Sequence, residues 1–195
     1  MNITPETLEG VHVRLEPLTA QHLPALAAAI RDGELWTIPV TFVPHPDDLP
    51  SFLADAEAAQ RAGRELAFAT FDKRRDALVG STRFMEIDRT HRRLEIGFTF
   101  LAASAQRTHV NTEAKYLMLR LAFERWGMQR VQLITDVRND KSRRAIARLG
   151  AQQEGIMRSH MVMRDGHIRD SVLFSIVRDE WSHVRRELER KLAAA

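Results

Sequence analysis

Three groups of residues in this chain of 195 residues carry types and spacings that can do chemistry. The first is Glu95, set beside Gly97 in the run LEIGFTF at 94–100. A carboxylate next to a glycine in a strand can take a proton, directly or through water, as a general base. In an evenly alternating strand, Leu94, Ile96, Phe98 and Phe100 share one face and Glu95, Gly97 and Thr99 the other; the same placement also suits a solvated carboxylate on an open face. The second group is Asn139, Asp140, Lys141 and Ser142, at the start of a helical pattern. Ser142, Ala145, Ile146 and Leu149 fall on one otherwise apolar stripe, so Ser142 points inward, while Arg143, Arg144 and Arg148 lie off it, open to solvent or to a phosphate. Asn139 serves equally well as a plain N-cap for the Ser142 N–H. The third group is QRTHVNTE at 106–113, where a strand feeds a helix. Free N–H groups and the positive end of the helix dipole meet there, a cradle for an anion such as a pyrophosphate. An ordinary loop capped by Asn111 accounts for the same residues, and Glu113 in the first turn competes with an anion for the dipole.

These groups need elements that hold them. Val11, Val13 and Leu15 alternate with His12, Arg14 and Glu16 in a half-buried strand ending at Pro17. Thr19 can cap a helix over 20–31, and Asp47 or Asp48 a second over 49–61. Between them, residues 35–46 hold three prolines with Trp36 and Phe42, a partly apolar loop of the kind that lines binding sites. Strands at 65–71, 77–87 and 94–101 read as an antiparallel meander. A helix over 112–126 is apolar on more than one side through Leu117, Met118, Leu121, Phe123 and Trp126, hence buried, with Asn111 as its cap and Gly127 as its stop. A strand over 130–137, a helix over 139–149 closed by Gly150, and the next strand make a crossover unit with parallel strands. Strands at 156–164 and 167–177 flank Asp165-Gly166, a strong hairpin signal, and a charged helix over 179–192 closes the chain. The order βααβββαβαββα predicts a mixed α/β (α+β) layer fold: a central, mostly antiparallel sheet of about seven strands flanked by helices.

Composition removes several chemistries. With no Cys, disulfides, thiol-ligated metals and an acyl group parked on an enzyme thiol are excluded, so acyl transfer is direct or runs through Ser. The 8 His show no His-x-His or His-Glu-x-x-His spacing, so no metal is expected. The longest stretch without a formal charge, 17–30, has 14 residues, short of the roughly 18 that a membrane span needs. The N-terminus lacks a basic and apolar leader, so cytoplasm is the expected location. Lys and Arg total 29, of which only 4 are Lys, leaving 25 Arg; the planar fork suits phosphate and carboxylate, although GC-rich coding gives the same excess. No repeat or linker interrupts the chain, and one domain over 1–195, with 179–195 as its C-terminal helix, is expected.

Taken in order, LEIGFTF, QRTHVNTEAKYLMLRLAFERWG, RVQLITDVRNDKSRRAIARLGAQQEG and the hairpin ending RDGHIRDSVLFSIVRDEW resemble the GNAT family of acetyl-coenzyme A dependent N-acetyltransferases, in particular its ribosomal-protein (RimJ/RimL-like) branch. The resemblance spans residues 8–181, and its most specific parts are Asn139 and Ser142 followed by Leu149-Gly150-Ala151, and the Asp165-Gly166 hairpin with Asp170 and Glu180-Trp181. It implies the GNAT acyl-CoA N-acyltransferase fold, with acetyl-CoA as co-substrate and no metal. Gln106, Arg107, Thr108, His109, Val110 and Asn111, followed by Thr112, fill the family's pyrophosphate loop, with His109 and Asn111 standing where the family has small residues. The resemblance places the pantetheine arm between Phe98, Thr99 and Phe100 on one strand and 132–135 on the next, with Asn139 beside it and Arg143 toward the phosphates. It gives Ser142 the leaving thiolate, a step many members assign to a Tyr; here Tyr116 is the only one and sits in the buried helix. Glu95 or Glu154 takes the proton of the amine. Trp36 and Phe42 with Arg158 and His160 of the 158–170 hairpin form the acceptor pocket.

The leading expectation is transfer of acetyl to a primary amine, either a protein N-terminus or a small molecule, with a homodimer compatible and no membrane partner. The alternative, motivated by His109 and Asn111, is a non-catalytic acyl-CoA binder or sensor. Nucleic-acid binding is disfavoured, because the Arg excess comes without a basic tail or an aromatic-basic surface pattern.

Overall fold

Capping residues and apolar periodicity set the elements of the computed structural model, which describes residues 3–194. Met1, Asn2 and Ala195, the ends of the expected domain, lie outside the described residues. A two-residue strand, β1 (Leu8–Glu9), precedes β2 (Val13–Pro17) and is too short to show in the periodicity. A 3-10 turn at Ala20–His22 runs into α1 (Leu23–Arg31), and α2 (Leu49–Arg61) follows the proline-rich loop. The meander is β3 (Leu66–Asp72), β4 (Ala77–Asp88) and β5 (Arg93–Leu101). Next comes α3 (His109–Arg120), continued by a π-helical turn at Leu121–Arg125. The chain ends with β6 (Arg130–Asp136), α4 (Asp140–Arg148), β7 (Gln152–Val162), β8 (Ile168–Val177) and α5 (Arg178–Ala193).

The eight strands form one mixed, mostly antiparallel sheet in the order β1-β2-β3-β4-β5-β6-β8-β7, flanked by five helices. One pairing differs from expectation. β6 and β7 run the same way, but β8 inserts between them and pairs antiparallel with both. The parallel pairing falls instead between β5 and β6, joined through α3. The hairpin turn at Asp165-Gly166 folds β8 back antiparallel on β7, and it is β8 rather than β7 that takes the place next to β6.

Alternation along β4 separates two layers. Arg83 turns to Phe52 of α2, while Thr82 and Phe84 turn to Met118 of α3 and to Trp126. The buried core runs from Leu8 to Leu188 without a break. Among the described residues no helix is long and apolar enough to cross a membrane.

Candidate active site

The two edges of β6 are paired to different extents. Against β8 the ladder runs from Arg130↔Val177 to Asp136↔Ser171. Against β5 it stops after Arg93↔Arg130, Leu94↔Val131 and Glu95↔Gln132. Past that point the strands part around a cleft of about 2000 Å³, lined by residues 95–101 on one side and 132–135 on the other. A bulge in β5 accompanies the parting. The register with β4 steps from Arg83↔Gly97 to Ser81↔Phe100, so Phe98 and Thr99 together oppose Thr82, and Phe98 adopts φ +45°. A bulge re-aims side chains. Ile96 still sits opposite Phe84 on the α3 layer, but Phe98 and Phe100 both turn to the Phe52 ring on the α2 layer. The expected shared face of Leu94, Ile96, Phe98 and Phe100 is therefore corrected, and Phe98 is 37% exposed. Gly80 makes room for the bulge, since a Cβ there would stand 3.0 Å from Leu101 Cα and closer still to the Phe100 carbonyl.

Glu95 stands at the fork where the ladder ends. A Cβ on Gly97 would lie 2.9 Å from its Oε1 and 2.7 Å from Met85 Sδ, so the bare glycine gives the carboxylate room to lie along the strand. Gln132 Nε2 donates to it at 3.3 Å, and burial pushes its pKa up to about 7. Across the chamber, β7 bulges against β8, the register stepping from Met157↔Ser171 to Met161↔Arg169, and there Ser159 at φ +51° gives its N–H to Asp170 Oδ1 at 2.7 Å. That bulge aims His160 at the Ser171 hydroxyl, 3.0 Å away. Phe42 and His160 line the cleft, and Arg164 Nη1 donates to the Val43 carbonyl at 2.7 Å, fastening the hairpin to the proline-rich loop. Trp36 and Arg158 do not line it; the Trp36 ring meets His45 edge-on at 5.1 Å. Glu154 is likewise corrected as a candidate base. It lies outside the cleft, on the zipped side of β6. Arg130 grips both its oxygens, Ser175 Oγ donates at 2.7 Å, and the Arg130 pairing holds its pKa down at about 2.

The other end of the cleft is built from helix starts. α3 begins at His109, three residues before the sequence suggests, because the Thr108 hydroxyl rather than Asn111 is the cap, accepting the Val110 N–H at 3.3 Å. Gln106, Arg107, Thr108, His109, Asn111 and Thr112 line the cleft, whereas Val110 is in the core. The His109 ring turns sideways, 3.5 Å from Asp72 and edge-on to His12, and burial lowers its pKa. Glu113 does not compete for the helix dipole: its carboxylate accepts the N–H groups of Val11 at 2.6 Å and His12 at 3.1 Å. At α4, Asn139 Oδ1 caps the Ser142 N–H at 3.0 Å, and both residues line the cleft. Arg143 does not, since its Nη1 donates to the Val137 carbonyl at 3.2 Å; Arg144 and Arg148 line the cleft instead. Among the described residues no group of three His, Asp or Glu is placed to hold a metal ion.

Residues 12–152 match the family model described as an acetyltransferase (GNAT) domain. The chain belongs to the GNAT family. It is similar to YdaF of Bacillus subtilis (strain 168), provisionally named a ribosomal N-acetyltransferase, at 30% identity over 54% of this chain and 56% of that one. It thus spans just over half the length of that relative. Among solved structures it is similar to a GCN5-related N-acetyltransferase from Brucella melitensis, at 30% identity and TM-score 0.86, covering 97% of this chain and 86% of the other. Its fold is also that of Mycobacterium smegmatis RimJ in complex with CoA-disulfide, at 21% identity and TM-score 0.84, covering 96% and 95%.

Two cations of this GNAT domain escape the sequence reading. Lys115 of α3 is 4% exposed, with Nζ 2.5 Å from Thr99 Oγ1 and 2.8 Å from Thr82 Oγ1. It pins the bulge to the helix behind it. Among the described residues no carboxylate balances it, and burial pulls its pKa down to about 7. The signal was present: on a helix apolar on several sides, a lysine beside Ala114 has no exposed face to occupy. The other is Arg169, which lines the cleft beside Glu95.

Proposed function

We propose that this protein is an acetyl-CoA dependent N-acetyltransferase that passes acetyl directly to a primary amine. The observation that carries the reading is the parting of β5 from β6 with Glu95 at the fork. The parted strands offer backbone groups that an extended, amide-bearing arm can pair with as an added strand. The first turns of α3 and α4, with Arg144 and Arg148 nearby, suit phosphates. The residues present therefore fit coenzyme A, which the M. smegmatis RimJ structure holds as a disulfide. When bound, its thioester supplies the acetyl carbonyl and a thiolate leaving group.

The chain's own residues supply the rest. Glu95, with a pKa near 7, takes a proton from the ammonium form of the acceptor, so that a neutral amine attacks. Backbone N–H groups at the Phe98 bulge orient and polarise the carbonyl. Ser142, at the mouth of α4, returns a proton to the thiolate, while Asn139 holds the turn that presents it. Tyr116 takes no part, being hydrogen-bonded to Glu189 at 2.8 Å. The absence of a cysteine agrees with direct transfer. The likeness to YdaF and RimJ supports placing the chain in the RimJ/RimL-like branch, acting in the cytoplasm.

The binder-or-sensor alternative rests on His109 and Asn111; the His109 ring faces Asp72, and Asn111 lines the cleft. The test is to follow free thiol during incubation with acetyl-CoA and a panel of amines. Thiol release that depends on an amine, with a matching acetylated product, is expected. Tight cofactor binding with no release for any amine favours the alternative.

A further inference from the structure

Arg169 is 6% exposed, lines the cleft, and uses one donor, Nε, on Ser171 Oγ at 2.8 Å. Among the described residues its terminal nitrogens Nη1 and Nη2 have no hydrogen-bond partner, and neither is sealed from solvent. Two carboxylates attract it through space, Asp136 and Glu95, but both are bonded elsewhere. Asp136 takes the fork of Arg138, with Nε at 3.1 Å and Nη2 at 2.8 Å, and Glu95 accepts from Gln132. Ser171 is shared with His160, so the hydroxyl ties Arg169 and His160 together on the cleft side of the hairpin.

A guanidinium buried this far, with its fork open only to water in the cleft, is less well solvated than a surface one and gains from an anion that pairs with it. The group that satisfies two parallel N–H donors best is a planar oxyanion. The same chamber holds Glu95, which attracts an ammonium. Met85, Met157, Met161 and Phe42 add apolar lining, and Glu86 and Arg138 bring one further charge of each sign. A chamber with a carboxylate and an open guanidinium is complementary to a molecule that carries both opposite charges.

We propose that the acceptor is a small primary amine that itself bears a carboxylate, with its amine toward Glu95 and its carboxylate held by the Arg169 fork. The assignment rests on the acetyl-transfer reading and narrows it from primary amines at large to amino acids. The new N–C bond forms to the acetyl carbon as the C–S bond breaks. The nitrogen gives up two protons: the first, from the ammonium, goes to Glu95, and the second, shed as the C–S bond breaks, passes through solvent to Ser142, which hands its own proton to the thiolate.

The test is a comparison of matched pairs: glycine with glycinamide, β-alanine with β-alaninamide, methionine with methioninamide, and a short peptide whose amine has no carboxylate nearby. Each is incubated with acetyl-CoA while thiol release and acetylated product are followed. The amide's amine is the more easily deprotonated of each pair, so a preference for the acid reports on the carboxylate. The expected result is a kcat/KM about tenfold or more higher for the acid in at least one pair, the size of a charge-assisted hydrogen bond lost. In Arg169→Gln that ratio is expected to fall to about one, mainly through KM, with Arg169→Lys in between. Amides or the peptide acetylated as well as every acid by the unaltered protein overturn the assignment and leave acetyl transfer standing, whether or not the Arg169 variants fold. No release with any amine, while acetyl-CoA binds, overturns both.

Discussion

The two edges of β6 show how this fold makes a reactive place. On the β8 side the ladder is complete along all 7 residues, and the polar groups there are satisfied. Glu154 is held by Arg130 and Ser175 and titrates at about 2, an inert carboxylate at neutral pH. On the β5 side the ladder stops at Glu95, and among the described residues Glu95, Lys115 and Arg169 beside the gap have only neutral hydrogen-bond partners. Glu95 is poised near 7, Lys115 is charged at a cost, and Arg169 has an open fork. Reactivity follows from withheld pairing, in backbone and side chains alike.

The contrast can be broken most directly at the two glutamates. Glu95→Gln is expected to lower kcat by about 10²-fold or more, the usual contribution of a general base, whereas Glu154→Gln should leave steady-state rates within about threefold. A large loss at Glu154 with little at Glu95 would reverse the comparison. The pH profile sharpens it. Transfer by the unaltered protein should rise with pH through about 7 as Glu95 ionises, and this step should vanish from the residual rate of Glu95→Gln. Stability moves oppositely at the two sites. The raised Glu95 pKa means that ionisation is disfavoured in the fold, so its effect is lost stability as pH climbs from the usual carboxylate range through 7. The lowered Glu154 pKa means stabilisation present near neutrality and lost as pH falls toward 2.

Ser142→Ala should lower kcat by about tenfold while KM for acetyl-CoA stays put; steady-state kinetics with thiol detection decides it, and an unchanged kcat removes Ser142 from the reaction. Lys115→Met should raise KM for acetyl-CoA about fivefold by releasing Thr99 and the bulge. Its stability carries a clearer sign. The lysine's folded pKa lies below its free value, so protonating it costs the native state more and more as pH falls from about 10 to 7. The variant should gain stability over the unaltered protein across that range in denaturant titrations. The smallest effect expected is the stability lost in Glu154→Gln at pH 7, under about 1 kcal/mol because the pair is partly solvated.

The elements were largely legible because caps, Gly127, Gly150 and Asp165-Gly166 punctuate strong apolar periods. Pairing order was less so: nothing local says that β8 lies between β6 and β7. The bulge at Phe98 was hidden by a run whose alternation looks perfect, since an inserted residue leaves no mark on composition. Asn111 and Thr108 are both good caps, and only the packing of Val110 into the core selects the earlier one. Of the two carboxylates, neighbours distant in sequence decide the outcome: the Arg130 cation for Glu154, and the neutral Gln132 amide for Glu95. Arg158 and Arg169 look alike in sequence, yet the bulge at Ser159 separates an exposed residue from one facing the chamber.

Glu113 ties the helix that opens on the cleft to a corner of the sheet far from it. Its carboxylate stays quiet because two amides at the start of β2 cradle it. In a chain cut to the family-matched span, 12–152, the Val11 amide is gone and the Glu113 carboxylate, in the second turn of α3, keeps only the His12 amide. The short β1–β2 corner is thus a brace: remove part of it, and the helix whose first turn opens on the cleft loses one of its ties to the sheet edge.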